Sequence, residues 1–340
     1  MLARSAGIKI LYQGIDITTD LIKDLLSFKY TDNAADNADD VEITLKDKSG
    51  KWLNNWWPEK GDSLTVEINT TNWRKDGDSQ TLPCGSFIVD EPEYTGRPRV
   101  MTLKGISTPS NTNFTTTKKS KAWEQINLKT IAQDIADNAG LNLFFDSSIN
   151  PTYDRKDQSD TSDMAFLADL CKSEGISFKV TDHTIVLFNE ADYENRPSIC
   201  TLVEDGGLVN SYNLKTSLTN TAYAGCQVTY YDANKGRLID YLFSIKDDID
   251  PAKDKVYVEN TRVNSLEEAQ RLAQKKLREL NKKEFSVTMN VVGDVRLIGG
   301  VCVDISGFGK FDGKYFIDKA AHNQPSYTVD LEMHRVLEGY

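Results

Sequence analysis

The stretch that decides the fold lies near the C-terminus. GVCVDI (residues 300–305) is followed by a glycine-rich turn and by GKYFID (residues 313–318). A polar stretch with a proline (residues 319–326) then leads into YTVDLEM (residues 327–333). The order predicts a strand, a turn, a second strand, a loop and a third strand.

An earlier part of the chain repeats this order. GDSLTVEI (residues 61–68) is followed by a polar loop and by GSFIVD (residues 85–90). A polar stretch with a proline (residues 91–99) then leads into VMTL (residues 100–103). Internal repeats of this kind indicate repeated structural units. We therefore predict two related antiparallel β units in one chain, with the polar stretches as loops.

Bulk properties bound the fold and the function. A chain of 340 residues is too long for one ordinary core, so two or three domains are expected. Its hydrophobic content of 39% and charged content of 27% are typical of a folded soluble protein. The net charge of −11 argues against a groove that neutralises phosphates, so we expect no specific nucleic-acid binding.

Cysteine and histidine positions predict neither disulfides nor a zinc site. The five cysteines are scattered, form no CxxC pair and fit buried positions in a reducing compartment. The three histidines are far apart, unlike zinc ligands. No signal-peptide core or membrane-length apolar run is present, so we expect no classical export and no membrane insertion.

The first β unit contains two further features. Residues 31–40 are rich in Asn, Asp and Ala and are predicted to form a loop that buries little, before an alternating strand (residues 41–45). Trp52, Trp56 and Trp57 follow. We favour their packing under a loop or at a barrel end, and a partner-binding aromatic patch is the alternative.

A change of period from two to 3.6 marks a middle module. Residues 110–121 are polar and are interpreted as a linker. A helix is predicted with Asn127 as its N-cap and Gly140 after its end. Its apolar face comprises Ile126, Leu128, Ile131, Ile135 and Ala139. A strand (residues 141–145) follows directly.

The same pattern then returns. A second helix is capped by Thr161 or Ser162 and ends at Gly175. A hairpin of residues 176–180 and 184–188 turns at Asp182 and His183.

The clearest helix spans residues 265–281. Ser265 and Glu268 form a capping box, and leucines and alanines recur along one face. The basic residues at its C-terminal end, Arg278, Lys282 and Lys283, complement the helix dipole and are interpreted as a solvated helix end.

No motif in the sequence indicates an active site. The glycine-rich run of residues 307–315 lacks the first glycine and the final Ser or Thr of a phosphate-binding loop, and we interpret it as a wide hairpin. Asp90 and Asp318 hold matching places in the two copies and are interpreted as acceptors in turns at strand ends. We predict no catalytic, cofactor-binding or metal-binding residues, and no cofactor.

The ordered set of motifs resembles the phage late control protein D family, the baseplate hub proteins of contractile tails. Relatives include hubs of prophages and phage-tail-like bacteriocins (tailocins) and the hub part of VgrG spike proteins. The resemblance rests on residues 85–90, 128–143, 158–167, 175–178, 309–317 and the helix from Ser265, with Ala269, Ala273, His322 and Tyr327.

The resemblance implies an α+β, mainly β fold with two related antiparallel β-barrels. We expect a first barrel at residues 1–117, an inserted α+β module at 118–200 and a second barrel at 201–340. An insertion at about 235–283, with the helix of residues 265–281, interrupts the second barrel.

The family resemblance also implies a structural protein and not an enzyme. Three copies would form a pseudo-sixfold ring between the sixfold tail tube and the threefold spike. Expected partners are a second and third copy, tail tube proteins, the spike protein, baseplate wedge proteins and the tape measure protein. The chain would be made in the host bacterial cytoplasm and end in the virion or tail-like particle. Since the sequence stops at Tyr340, the spike tip is expected to be a separate protein.

Two alternatives stay open at the level of sequence. One is a peptidoglycan-acting tail enzyme with a carboxylate pair in the middle module. The other is a carbohydrate-binding baseplate protein that uses the tryptophans of residues 52–57.

Overall fold

The computed structural model describes residues 2–107, 109, 112–232, 236–250, 252–263 and 265–340. The first strands are β1 (Ser5–Tyr12), β2 (Ile15–Asp16), β3 (Leu25–Asn33), β4 (Asp40–Lys46), β5 (Ser63–Thr71), β6 (Ser79–Thr95) and β7 (Val100–Ile106). The middle strands are β8 (Lys119–Asn127), β9 (Asn142–Asp146), β10 (Thr152–Thr161), β11 (Ser177–Thr181) and β12 (Thr184–Phe188).

The remaining strands are β13 (Thr201–Val203), β14 (Val209–Thr216), β15 (Gly225–Asp232), β16 (Arg237–Ser244), β17 (Val256–Glu259), β18 (Phe285–Val292), β19 (Cys302–Ser306), β20 (Gly313–Gln324) and β21 (Thr328–Arg335). The helices are α1 (Thr18–Ile22), α2 (Thr112–Thr115), α3 (Leu128–Ala139), α4 (Asp163–Glu174), α5 (Glu190–Glu194) and α6 (Leu266–Asn281). None of the helices in the described part of the chain is long and apolar enough to cross a membrane.

One large sheet runs through both ends of the chain, so the fold is mainly β, as predicted. Its order is β14-β18-β21-β20-β3-β4-β7-β6-β5-β1-β2, and β19 and β13 extend it beside β20. Apart from the parallel β13·β19 pair, its strands are antiparallel. One hydrophobic cluster lies mainly under residues 8–103 and another under residues 202–333.

The two repeated segments pair in the same way. The run β5-β6-β7-β4-β3 in the first half has the same order as β19-β20-β21-β18-β14 in the second. Gly61 N–H donates to the Val89 carbonyl at 2.8 Å, and Gly300 N–H donates to the Ile317 carbonyl at 2.9 Å. The closure of each run into a barrel stays a prediction.

The register shifts of the two runs also correspond. The long central strands shift register after Val89 and after Ile317, against β7 and β21. The outermost strands of the two runs, β3 and β14, shift after Leu25 and after Val209. A β-bulge adds one residue to one strand, so its position marks a fixed point along that strand. Matching the bulges of the first run with those of the second aligns the two runs residue by residue.

Three predictions about loops were wrong. Strand β6 continues to Thr95 and β20 to Gln324, through the polar stretches that were assigned to loops. Asp90 and Asp318 are therefore the extra residues of bulges within long strands, not turn residues at strand ends. The stretch of residues 31–40 begins as strand, and Thr31, Asp32, Asn33 and Asp39 are buried. In residues 31–39 and 319–324, polar composition failed to show burial because the buried polar groups are paired with distant parts of the chain.

The middle module has its own hydrophobic core. Asn127 accepts a hydrogen bond from Thr130 N–H at 2.9 Å and caps α3, while Gly140 (φ 66°) ends it, as predicted. Ser162 caps α4, and Gly175 (φ 74°) ends it. The predicted hairpin is β11 and β12, and β9 pairs parallel with β12.

Around α3 the boundaries differ from the prediction. Ile126 lies in β8, and β8 pairs with β10, a strand that the sequence did not show. The linker prediction fails in part, because α2 lies within it and β8 starts at Lys119. Residues 110 and 111 lie outside the described residues.

Helix α6 packs on a separate small sheet. Strand β15 pairs with β16 and β17, and the inward side chains contact Ala269, Ala273 and Leu277 of α6. The Ser265 hydroxyl accepts from Glu268 N–H at 3.2 Å, which confirms the predicted cap.

Candidate functional site

The two halves of the large sheet join along a seam between β3 and β20. Residues 319–324 of β20 pair antiparallel with residues 33–28 of β3. Phe28, Tyr30 and His322 are buried at this seam, and the Tyr30 and His322 rings stack with centroids 6.0 Å apart. Packing of this kind fixes the two halves relative to each other.

His322 has a structural role in the seam. Its Nε2 lies 2.9 Å from the Leu297 carbonyl, and its Nδ1 lies 3.0 Å from the Tyr327 hydroxyl. Burial lowers the pKa of His322 to about 4, so the ring is neutral near pH 7. Nε2–H then donates to the carbonyl and Nδ1 accepts from the tyrosine.

A tryptophan from the first half reaches across to the second. Trp73 Nε1–H donates to the Gly293 carbonyl at 2.6 Å, and its ring lies 5.3 Å from that of Tyr327. A Cβ at Gly293 would lie 2.2 Å from the Tyr327 ring. This position therefore requires glycine.

The middle module contacts the seam through a buried lysine. Lys179 Nζ lies 2.7 Å from Asp32 and 2.8 Å from Asp39, and it also donates to the Asn33 carbonyl at 2.5 Å. Burial raises the pKa of Asp39 to about 6 although Lys179 opposes that shift. For Lys179, burial lowers the pKa but the two carboxylates outweigh it and raise it. A lysine between Phe178 and Val180 in a hydrophobic hairpin is the sequence signal that was missed.

A second buried charge cluster joins α5, α6 and β21. Glu194 accepts from Arg278 at 2.7 Å and lies 3.1 Å from His334 Nε2, while His334 Nδ1 lies 2.8 Å from Asp318. Burial lowers the pKa of His334, but Asp318 and Glu194 outweigh it and raise it to about 9. His334 is therefore protonated near neutral pH and donates from both nitrogens.

The same cluster has the residue types of a metal site, since Glu190, Glu194 and His334 place ligand atoms within 4.8 Å of one another. Arg278 and Lys282 already contact the two glutamates, Lys282 at 2.7 Å from Glu190. With His334 protonated, a divalent cation would meet three positive charges. The cluster fits a structural ion-pair network better than a metal centre.

The alternative with a carboxylate pair in the middle module names no residues and stays a hypothesis. Asp32 and Asp39 face each other through Lys179, away from solvent. A cavity of about 440 Å³ is lined by residues that include Glu284, Asp312, Lys314 and Arg335. Arg335 donates to the Lys310 and Asp312 carbonyls, so it braces the neighbouring turn.

The tryptophan cluster divides into a buried and an exposed part. Trp52 is 5% exposed, as the packing interpretation predicts, whereas Trp56 and Trp57 are 39% and 38% exposed. Asp47 accepts from the N–H groups of Gly50, Lys51 and Trp52 and so fixes the turn.

The geometry therefore shows a protein whose buried polar groups join its parts. The family model described as "Phage tail baseplate hub (GPD)" matches residues 100–325, more than half of the chain. The chain belongs to this family. The predicted resemblance to baseplate hub proteins is confirmed.

Two curated relatives that match part of the chain carry the same description. The probable baseplate hub protein of Escherichia phage P2 is 31% identical over 166 residues, which is 47% of this chain and 39% of the relative. That of Escherichia phage 186 is 28% identical over 166 residues, or 48% of this chain and 40% of the relative. The aligned part thus spans less than half of these relatives.

Two solved structures share the fold over nearly their whole length. The prophage MuSo2 43 kDa tail protein from Shewanella oneidensis has a TM-score of 0.74 at 13% identity, covering 98% of this chain and 99% of that one. The tail protein from Neisseria meningitidis MC58 has a TM-score of 0.72 at 13% identity, covering 97% of each chain.

Proposed function

We propose that this chain is the hub subunit of a contractile phage tail or tail-like particle, and that three copies form a ring. The observation that carries the proposal is the pair of strand runs with the same order and the same bulges, joined by one seam. Two similar units per chain give six similar units in a trimer. A threefold assembly can then meet a sixfold tail tube on one side and a threefold spike on the other.

The proposed division of the chain follows from this role. Residues 1–117 and 201–340 would supply the two ring units, as barrels, and residues 118–200 with the insertion at about 235–283 would lie outside the ring. Separate hydrophobic clusters in the middle module and under α6 support a division of this kind, and the cluster under α6 also includes β15, which precedes residue 235.

The proposed role is structural and not enzymatic. The relatives matched by sequence are named as hub proteins, and the buried carboxylates described above are engaged in ion pairs. Neither the wall-degrading nor the carbohydrate-binding alternative gains support from the comparisons. The proposed partners are the other two copies, the tail tube, spike, wedge and tape measure proteins. Assembly would take place in the host cytoplasm before incorporation into the particle.

The test is the molar mass in solution, measured by light scattering on the chain alone and mixed with the spike protein of the same particle. We expect three times the 38.2 kDa of one chain in at least one condition. A monomer in both would contradict the ring. A wall-hydrolysis assay, expected to be negative, tests the non-enzymatic role separately.

A further inference from the structure

The aligned strand runs make β14 the counterpart of β3. Each is the outermost strand of its run, and each shifts register at the same place, after Leu25 or after Val209. The cross-strand partners then align Phe28 with Tyr212 and Tyr30 with Leu214.

These two counterparts differ in what covers them. Strand β3 pairs with β4 on one edge and with β20 on the other, and Phe28 is 1% exposed. Strand β14 pairs only with β18 among the described residues, and Tyr212 is 44% exposed. Val203 and Leu208 near it are also exposed. An uncovered edge strand flanked by exposed apolar side chains is suited to pairing with another chain.

The same alignment identifies the counterpart of the seam segment of β20. The bulge residues Asp318 and Asp90 correspond, so residues 319–324, which pair with β3, correspond to residues 91–96. Residues 91–95 of β6 pair with β7 on one edge. On the other edge β5 pairing ends at Ile88, and no further backbone hydrogen bond joins residues 91–95 to another described segment.

The geometry thus points to a second seam, between copies of this chain. We propose that β14 of one copy pairs antiparallel with residues 91–95 of β6 in a neighbouring copy, in the register of the β3·β20 seam. This inference rests on the proposed ring and names its subunit contact. Within a ring, the β3·β20 seam inside each chain would alternate with the β14·β6 seam between chains.

The register follows from the internal seam. Thr31 is opposite Ala321 there, so Lys215 is expected opposite Glu93, and Leu214 opposite Tyr94. Lys215 and Glu93 are exposed, and neither forms an ion pair with the described residues of its own chain. Opposite charges directly across a strand pair stabilise the pairing, whereas like charges oppose it. The alignment was derived from the register shifts alone. The opposite charges of Lys215 and Glu93 are therefore separate evidence for the pairing.

Cysteine pairs test the register directly. In the internal seam, Ala34 N–H donates to the Asp318 carbonyl, which makes the Thr31–Ala321 position a non-hydrogen-bonded pair. The Cα atoms of such a pair are about 4.5 Å apart, within the range that a disulfide spans. We expect Glu93→Cys, Lys215→Cys chains to form covalent dimers and trimers under mild oxidation. The matched control is Glu91→Cys, Asn213→Cys, which places both cysteines on the same strands but four residues out of register.

Each outcome is decisive. Self-association without in-register cross-links, or with equal cross-linking of the control, would overturn the strand pairing and leave the ring intact. Cross-linked dimers of the Lys215→Cys single variant would show that β14 pairs with β14, which also overturns it. A chain that stays monomeric with the spike protein and gives no cross-link would contradict both proposals. The wild-type chain, with Cys200 its only cysteine that is not buried, gives the background.

Charge exchange provides a second measurement without new cysteines. Lys215→Glu and Glu93→Lys should each weaken self-association several-fold, and the double variant should recover most of it. A double variant that associates no better than the singles would contradict the pairing of these two side chains.

Discussion

His334 and His322 are both buried, but their surroundings shift the pKa in opposite directions. Two carboxylates face His334 and raise its pKa to about 9, whereas His322 meets a carbonyl and a hydroxyl and its pKa falls to about 4. A histidine with a raised pKa stabilises the fold below its unfolded pKa of about 6.5, and that contribution is lost as pH rises towards 9. The lowered pKa of His322 has the opposite effect on the pH dependence of stability. Here stability is lost as the pH falls from about 6.5 towards 4.

The substitution His334→Gln tests how much protonated His334 contributes to stability and whether that contribution is lost at alkaline pH. The glutamine retains one donor but no charge, so Glu194 and Asp318 lose a cationic partner while Arg278 and Lys282 stay. At pH 6 we expect the variant to be less stable by on the order of 2 kcal/mol. The difference should shrink by pH 9.5, where the wild-type ring is mostly neutral. Urea unfolding at both values measures it, and an unchanged difference would contradict the ion-pair assignment.

A single methyl group tests the contact between Trp73, Tyr327 and Gly293. In Gly293→Ala the new Cβ would lie 2.2 Å from the Tyr327 ring, so the ring or the backbone must move. We expect a loss of about 1–3 kcal/mol in the free energy of unfolding. Gly7→Ala is the control, because no heavy atom lies within 4 Å of its Cβ position. Equal effects of the two substitutions would show that the close contact is unimportant.

At the scale of elements, Lys179 connects the β11–β12 hairpin to β3. Lys179→Met removes the cation and leaves Asp32 and Asp39 buried together, which is expected to cost about 3–5 kcal/mol at pH 7.5. Lys179 lowers the pKa of Asp39, so without the lysine this buried carboxyl takes up a proton more readily as the pH falls, and the loss should become smaller. Chemical unfolding at pH 7.5 and pH 5 measures both effects.

Two further variants make the Lys179 prediction specific. Lys29→Met, at an exposed position of β3, should have little effect. Adding Asp39→Asn to Lys179→Met should recover part of the stability. A Lys179→Met chain as stable as wild type at pH 7.5 would show that the lysine does not hold the hairpin in place.

Helix caps could be predicted from the sequence, whereas the seam could not. Asn127, Ser162 and Ser265 accept bonds from N–H groups three residues away, so a short sequence contains both partners. The β3·β20 seam joins opposite ends of the chain, and its polar residues resemble those of a loop until their partners are known. The correspondence of Gly61 with Gly300 was visible because the repeat preserves local spacing.

At the scale of the whole molecule, the β3·β20 seam inside the chain differs from the proposed β14·β6 seam between chains. The internal seam is a complete strand pair with buried aromatic rings, while the proposed external seam has Pro92 where β20 has Ala320. By the same alignment, Ala320 directs its N–H towards β3, so Pro92 leaves one donor missing at the outer edge of β6. A proline at an edge weakens indiscriminate pairing of that edge with other chains.

Pro92→Ala should therefore strengthen self-association. It restores one N–H opposite Thr216 of the neighbouring copy, and a net hydrogen bond contributes about 0.5–1.5 kcal/mol. This corresponds to about a 2- to 10-fold tighter association, measured by sedimentation over a range of concentrations. Pro83→Ala, in the part of β6 that pairs with β5 inside the chain, is the control and should leave association unchanged. Weaker association of Pro92→Ala would contradict a partner strand at this edge of β6, because an added N–H donor can only favour such a pairing.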